Sequence, residues 1–120
     1  MTAEPFVILY VEDDAYIRES IAELLATAER RILGVADGAA AREALREQKV
    51  DLLMTDIHLP DGSGLDVARE ALLQNPRMPV IVCSGDGSND GIRSLGPTAH
   101  VLRKPFDLDE LEALVDRLAR

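Results

Sequence analysis

An apolar run that ends in two carboxylates decides the fold of this chain: Phe6-Val7-Ile8-Leu9-Tyr10-Val11-Glu12-Asp13. Six consecutive apolar residues closed by polar ones are typical of a strand buried on both faces of a parallel sheet. The same pattern recurs at residues 52–56, 80–84 and 101–104. Each of these runs also ends in a polar side chain, so we expect four buried strands whose carboxyl ends carry polar groups.

These strand ends define one candidate site. Open α/β sheets bind their ligands at the carboxyl ends of the strands, where the strand order reverses. Three carboxylates, one hydroxyl and one ammonium group at that edge suggest a divalent cation and a phosphoryl group. The candidate residues are Glu12, Asp13, Asp56, Ser84 and Lys104.

The remaining sequence alternates helix and strand. Asp14 is the expected cap of the first helix, and Asp107 that of the last. Apolar residues on these two helices, from Ile17 and from Leu108 onward, predict inward faces. A short second strand at 32–36 precedes an alanine-rich helix at 39–47, and a third helix must end before Pro76. The alternation predicts an α/β domain with a parallel sheet and right-handed crossovers.

One segment departs from this regularity. Residues 85–97 should hold the fourth helix, yet they contain four glycines and a proline, with Ile92 and Leu95 as their apolar residues. Each interior glycine costs about 1 kcal/mol relative to alanine. We therefore expect a short, weak helix or an irregular loop, which becomes more ordered when the site binds a phosphoryl group.

Composition bounds the class of protein. A chain of 120 residues with 47% hydrophobic residues predicts one globular domain, residues 1–120. The net charge of −9 argues against direct binding to nucleic acid. A single cysteine, Cys83, fits a reducing compartment. Because no apolar stretch approaches the roughly 20 residues of a membrane span and no signal peptide is evident, we expect a cytoplasmic protein without membrane contact.

Four motifs together resemble the receiver domain of two-component response regulators. They are Val11-Glu12-Asp13-Asp14, the run from Thr55 to Gly64 (TDIHLPDGSG), Ser84-Gly85 and Lys104-Pro105-Phe106. The resemblance covers nearly the whole chain, and the set is far more specific than any one motif. It implies a CheY-like, doubly wound five-stranded parallel sheet of flavodoxin-like order 2-1-3-4-5, with helices on both faces.

The resemblance also implies a role for each site residue. Asp56 would be the phosphoacceptor, since a carboxylate can act as a covalent nucleophile. Glu12, Asp13 and Asp56, with the backbone carbonyl of His58, would bind Mg²⁺, which suits carboxylate and phosphate oxygens. Ser84 would donate its hydroxyl to a phosphoryl oxygen. Lys104, directed inward by a cis bond to Pro105, would pair with Asp56 or with its phosphoryl group.

Three further positions concern turnover and output. In the family, side chains matching His58 and Asp86 flank the path of the water that hydrolyses the aspartyl phosphate. The alternative for both is an ordinary solvated loop residue. The family's aromatic residue three places before the lysine is Val101 here. The resemblance therefore does not extend to the usual coupling of hydroxyl to aromatic rotation.

The leading functional hypothesis is a phosphorylatable receiver that signals by protein contact and acts only on itself. Its expected partners are a sensor histidine kinase or a histidine phosphotransfer protein and an unidentified downstream protein; we also consider a phosphorylation-dependent homodimer. One alternative is an aspartyl phosphatase of the haloacid dehalogenase type, although His58 stands where those enzymes have a second aspartate. Another is a binding module of receiver fold that is never phosphorylated.

Overall fold

The structure, a computed structural model, describes residues 4–85 and 90–119. Strands and helices alternate along it. The strands are β1 (Phe6–Val11), β2 (Arg30–Val35), β3 (Leu52–Asp56), β4 (His58–Leu59), β5 (Gly62–Ser63), β6 (Val80–Ser84) and β7 (Ala99–Arg103). The helices are α1 (Ala15–Leu25), α2 (Gly38–Glu47), α3 (Gly64–Gln74), α4 (Asp90–Arg93) and α5 (Leu108–Leu118).

The main sheet is parallel and five-stranded. Its strand order is β2-β1-β3-β6-β7, while β4 and β5 form a separate antiparallel hairpin. With the hairpin set aside, this is the predicted order 2-1-3-4-5, and the flavodoxin-like fold is confirmed. The order reverses between β1 and β3, so the carboxyl ends of these two strands flank the crevice where open α/β sheets bind ligands.

Helices cover both faces of the sheet and enclose two cores. One core packs α2, α3 and α4 against Leu9, Val11, Leu53, Val80 and Val82. The other packs α1 and α5 against alternate residues of the same strands, such as Ile8, Tyr10 and Met54. This alternation follows from the two-residue period of a strand, which sends successive side chains to opposite faces. Both faces being buried explains why the strands read as continuous apolar runs.

Two local expectations were wrong. β2 begins at Arg30 rather than Ile32, because Arg30 and Arg31 pair with Phe6 and Val7 at the edge of the sheet. The loop after Asp56 also contains the β4–β5 hairpin, which the sequence did not predict. Ile17 and Leu108 lie 40% and 48% exposed at the first turns of α1 and α5, so the inward faces of these helices begin one turn later.

The fourth helix is short, as expected. α4 is a single turn, and it is held to the core by the buried side chains of Ile92 and Leu95. Gly91 packs closely against α3, since a Cβ atom there would lie 2.6 Å from the Leu65 side chain. Residues 86–89 lie outside the described part of the chain.

Helix length also bears on membranes. In the part of the chain that the structure describes, no helix combines the length and the apolar character that crossing a bilayer requires.

Candidate functional site

The register of the sheet brings the acidic residues together. Tyr10 lies beside Met54 and Val11 beside Thr55 in the β1–β3 ladder. One step further along both strands, Glu12 reaches Asp56. Both carboxylates therefore stand on the α1/α5 side of the sheet, following Tyr10 and Met54 at the two-residue period. Glu12 and Asp56 are buried, and Asp13 is exposed at the rim.

Lys104 supplies a positive charge to this pair. Its Nζ atom lies 2.6 Å from Asp56 Oδ1 and 3.7 Å from Glu12 Oε1. The contact with Asp56 is a close ion pair. Burial of the ammonium works against its charge, but pairing with Asp56 outweighs it and raises the pKa of Lys104 above its ordinary value. Lys104 therefore stays protonated at neutral pH.

Three hydrogen bonds hold Glu12, but one of its carboxylate oxygens accepts none from the described residues. Its N–H donates to the Val35 carbonyl at 3.0 Å, and its Oε2 accepts from the Asp14 N–H at 3.1 Å. Its carbonyl accepts from the Arg18 guanidinium at 2.7 Å. Its other carboxylate oxygen, Oε1, is buried and accepts no hydrogen bond from the described residues.

The environment of Glu12 favours its protonated form when no cation is present. Burial raises the pKa of the Glu12 carboxyl to about 7, and the neighbouring Asp56 carboxylate also raises it. The Asp14 N–H and the Lys104 charge act in the opposite direction without cancelling the effect. Lys104 therefore offsets only part of the effect of burial and of the Asp56 carboxylate on Glu12.

A divalent cation fits this arrangement. One oxygen from each of Glu12, Asp13 and Asp56 lies within 4.8 Å of the other two. Glu12 Oε1 is buried without a hydrogen bond from the described residues, and the pKa of Glu12 is raised, as expected for a carboxylate cluster without its cation. Hard oxygen donors with an exposed rim, where waters remain bound, are the environment that Mg²⁺ prefers.

The carboxyl ends of β6 and β7 form the side of the site opposite Glu12 and Asp13. The Lys104 N–H donates to the Ser84 carbonyl at 2.8 Å, which extends the β6–β7 ladder by one residue. Ser84 is buried, and the Lys104–Pro105 peptide bond is cis, as the resemblance implied. Ser84 and Lys104 line a cleft of about 280 Å³ that reaches Asp56, with the exposed His58 at its side.

Sequence reasoning missed the support beneath the phosphoacceptor candidate. A Cβ atom on Gly64 would lie 1.8 Å from the Asp56 carbonyl oxygen, so only glycine fits there. The Gly64 N–H donates to the Ile57 carbonyl at 2.7 Å, and the Thr55 hydroxyl donates to the Asp56 carbonyl at 2.9 Å. The signal in the sequence was Gly64 itself, a glycine at the first position of a helix and the last residue of the TDIHLPDGSG run.

The other assignments can be placed individually. Asp14 caps α1 by accepting from the Ile17 N–H at 3.0 Å, as expected, and its carboxylate takes no part in the acidic cluster. Val101 lies on β7 and packs against the core beneath α4. The structure brings together Glu12, Asp13, Asp56, Ser84 and Lys104, while Asp86 lies outside the described residues.

The chain is similar in sequence to response regulators. A family model described as the response regulator receiver domain matches residues 8–116. Response regulator protein PmrA of Pseudomonas aeruginosa is 40% identical over 115 residues, which cover 94% of this chain and 52% of PmrA. The DNA-binding transcriptional regulator NtrC of Escherichia coli is 33% identical over 113 residues, covering 92% of this chain and 24% of NtrC. The chain thus spans about half of one relative and a quarter of the other.

Solved structures agree with this assignment. A response regulator receiver protein from Sinorhizobium medicae superposes with a TM-score of 0.87 at 29% identity, covering 98% of this chain and 97% of that one. The chemotaxis response regulator CheY4 of Vibrio cholerae superposes with a TM-score of 0.84 at 22% identity over 95% of this chain and 98% of its own, a likeness that shows the fold alone. The chain belongs to the family of response regulator receiver domains.

Proposed function

We propose that this chain is a single receiver domain, residues 1–120, that accepts a phosphoryl group on Asp56. The donor is the phosphohistidine of a sensor kinase or of a phosphotransfer protein, and Mg²⁺ is required. The domain then signals by contact with a downstream protein. It acts on its own carboxylate and has no separate substrate, and we place it in the cytoplasm.

One observation carries the proposal. Asp56 is buried at the end of a central strand, yet it faces an open cleft, with an ammonium group 2.6 Å away and two further carboxylates beside it. A strand-end aspartate with only a structural role would cap the next loop. Asp56 instead directs its carboxylate at Lys104, and the next loop is closed by the Ile57 carbonyl, which accepts from the Gly64 N–H.

Glu12, Asp13 and Asp56 would hold the cation, with the backbone carbonyl of His58 as a further ligand. When bound, Mg²⁺ offsets the negative charge of the carboxylates and of the incoming phosphoryl oxygens. Glu12 Oε1 fits this role, because it is buried next to the cluster and accepts no hydrogen bond from the described residues. Asp13, at the exposed rim, lies where a cation that keeps some of its waters would meet solvent.

The reaction is a displacement at phosphorus. A carboxylate oxygen of Asp56 attacks the phosphorus atom, the P–N bond to the donor histidine breaks, and its electron pair returns to the imidazole ring. Lys104 then exchanges its contact with Asp56 for one with a phosphoryl oxygen, and the Ser84 hydroxyl donates to another. Both groups converge on the cleft because the Lys104 N–H is tied to the Ser84 carbonyl.

Water limits the lifetime of the product. His58 is exposed at the side of the cleft, where its side chain can hinder or orient an attacking water. We propose that it influences hydrolysis of the aspartyl phosphate, together with Asp86.

Since Val101 is packed in β7 in place of an aromatic side chain, we propose that the output surface changes through the segment after Ser84.

The downstream partner is proposed from the length of the relatives and from the charge of this chain. The relatives PmrA and NtrC extend well beyond the length of this chain, so the downstream partner is either another protein or a domain of a longer regulator. The acidic chain, with a net charge of −9, favours a protein over nucleic acid as the direct partner of this domain. Phosphorylation-dependent pairing of two copies is a second way to transmit the signal.

Intact-mass analysis with acetyl phosphate tests the proposal. The wild-type chain should gain one phosphoryl group in the presence of Mg²⁺ and none with a chelator. Asp56→Asn should gain none, whereas Asp66→Asn, a control on the exposed surface of α3, should react like the wild type. A wild-type chain that binds no Mg²⁺ and never reacts would instead favour a binding module of receiver fold.

A further inference from the structure

Arg18 reaches from α1 to the loop that carries Glu12 and Asp13, where it contacts the backbone. Its guanidinium donates to the Glu12 carbonyl at 2.7 Å. Within the described ranges, 4–85 and 90–119, Arg18 forms no ion pair with any carboxylate. Because the Arg18 guanidinium binds a backbone carbonyl and not a carboxylate, we interpret its role as orienting the backbone rather than neutralising charge.

The contacted carbonyl restrains the backbone at Asp13. The Glu12 carbonyl and the Asp13 N–H belong to one planar peptide unit. Holding that oxygen restrains the plane, and with it the positions of the Asp13 N and Cα atoms from which the side chain extends. The Asp13 side chain itself is exposed at the rim of the cluster.

The absence of a side chain at Gly34 leaves room for the Arg18 side chain. On β2, Gly34 lies beside Tyr10 of β1, and it leaves open the space that the arginine stem crosses. A Cβ atom on Gly34 would lie 3.1 Å from Arg18 Cγ and 3.3 Å from Arg18 Cδ. Gly34 has no positive φ angle, so its backbone would accept any residue. The close approach of the arginine is therefore the reason visible in the structure for a glycine at this position.

We propose that Arg18, seated against Gly34, is a positioning residue that pre-organises the Glu12–Asp13 peptide for the divalent cation. The inference rests on the proposed function, because it assumes that Glu12 and Asp13 bind that cation. Partners that orient metal ligands typically contribute about 10- to 100-fold to metal affinity. Arg18 would act at the lower end of this range, since it orients one of the ligands.

The test compares three variants by their Mg²⁺ affinity, followed through amide chemical shifts during a Mg²⁺ titration. Arg18→Met keeps the stem and removes the guanidinium. Gly34→Ala leaves Arg18 in place but crowds its stem. Arg31→Met, an exposed arginine at the opposite end of β2, is the matched control. Urea unfolding of each metal-free variant separates a loss of site geometry from a loss of stability.

We expect Arg18→Met and Gly34→Ala to bind Mg²⁺ about tenfold more weakly than the wild type, while Arg31→Met binds normally. Gly34→Ala should lose this affinity without losing stability, because alanine is the better strand residue. In the metal-free protein, both variants should shift the amide signals of Asp13 and Asp14, and Arg18→Lys should restore part of the affinity.

Two results would overturn the inference while leaving the proposed function intact. One is wild-type Mg²⁺ affinity in Arg18→Met. The other is a loss of affinity in both variants that merely follows a loss of stability. If the wild-type chain itself bound no Mg²⁺, the proposed function would fail first, and the role of Arg18 with it.

Discussion

Lys104 and Asp56 form the central ion pair of the site, with Nζ 2.6 Å from Oδ1, at the ends of two strands that are not neighbours in the sheet. β6 lies between them, and Lys104 crosses its end while its backbone is tied to Ser84. The pair thus spans the carboxyl edge of the sheet. It holds in place the carboxylate that we propose as the nucleophile.

Removing the lysine should therefore destabilise the metal-free domain. Lys104→Met leaves Glu12 and Asp56 buried without a compensating charge, but Lys104 is 38% exposed and water screens part of the interaction. We expect a loss of roughly 1–3 kcal/mol in the free energy of unfolding, between the values for surface and buried pairs. Urea unfolding without Mg²⁺ measures it, and saturating Mg²⁺ should recover part of the loss. Unchanged stability would show that the carboxylates do not depend on Lys104.

Asp61 gives a second prediction, concerning acid stability. Its carboxylate accepts from the Gly38 N–H at 2.8 Å and from the Ala39 N–H at 2.9 Å, and so ties the β4–β5 hairpin to the start of α2. These two hydrogen bonds lower the pKa of Asp61. The stabilisation is present above the ordinary aspartate pKa of about 4 and is lost as the pH falls through the lowered value of the folded state.

Asp61→Asn should therefore melt at a lower temperature than the wild type at pH 7, and the difference should shrink as the pH falls below about 4. Thermal melts across this range measure the effect. The control is Glu43→Gln, which changes an exposed carboxylate on α2, the helix that Asp61 contacts. It should differ little from the wild type at any pH in this range. A difference for Asp61→Asn that stayed constant across the range would exclude the carboxylate as the cause.

Cys83 should be inert in the folded domain. It is buried on β6, and burial, reinforced by the nearby charge of Asp56, raises the pKa of its thiol to about 12. Since the thiolate is the reactive form, alkylation by iodoacetamide at pH 8 should be far slower in the native protein than in urea. Mass spectrometry of timed samples measures the two rates. Similar rates would mean that this end of β6 opens readily.

The segment at α4 should respond to the phosphoryl group. α4 is one turn long, and the buried side chains of Ile92, within it, and Leu95, just after it, anchor this segment to the core. Such elements lie at the low-stability end of a domain. We expect fast amide exchange at Leu95 and Gly96 in the unmodified protein and slower exchange with a beryllofluoride mimic on Asp56, while α5 stays unchanged. Protection that is already high without the mimic would direct the search for the output surface elsewhere.

Much of this architecture could be predicted because it depends on local pattern. The apolar runs ending at Glu12, Asp56 and Ser84 located strands and site together, since a parallel sheet collects strand ends at one edge. The caps at Asp14 and Asp107 were equally local. In each case a few adjacent residues contained the whole signal.

What the sequence did not reveal depends on contacts between distant segments. Arg18 against Gly34, and Asp61 against Gly38, are pairs whose meaning appears only when α1 lies on β2 and the hairpin lies on α2. Gly64 looks like an ordinary turn glycine until the Asp56 carbonyl is seen against it. Asp61 and Gly64 lie within the run from Thr55 to Gly64, but the sequence alone does not show which distant atoms they contact.

Site-specific chemistry tests the central claim, that Asp56 is the phosphoacceptor, most directly. After reaction with acetyl phosphate and Mg²⁺, borohydride reduces an aspartyl phosphate to homoserine, which peptide mass spectrometry can locate in the chain. The account predicts homoserine at position 56 and at no other aspartate, with none formed when Mg²⁺ is chelated. Homoserine at Asp13 or elsewhere, or equal phosphorylation of Asp56→Asn, would contradict it.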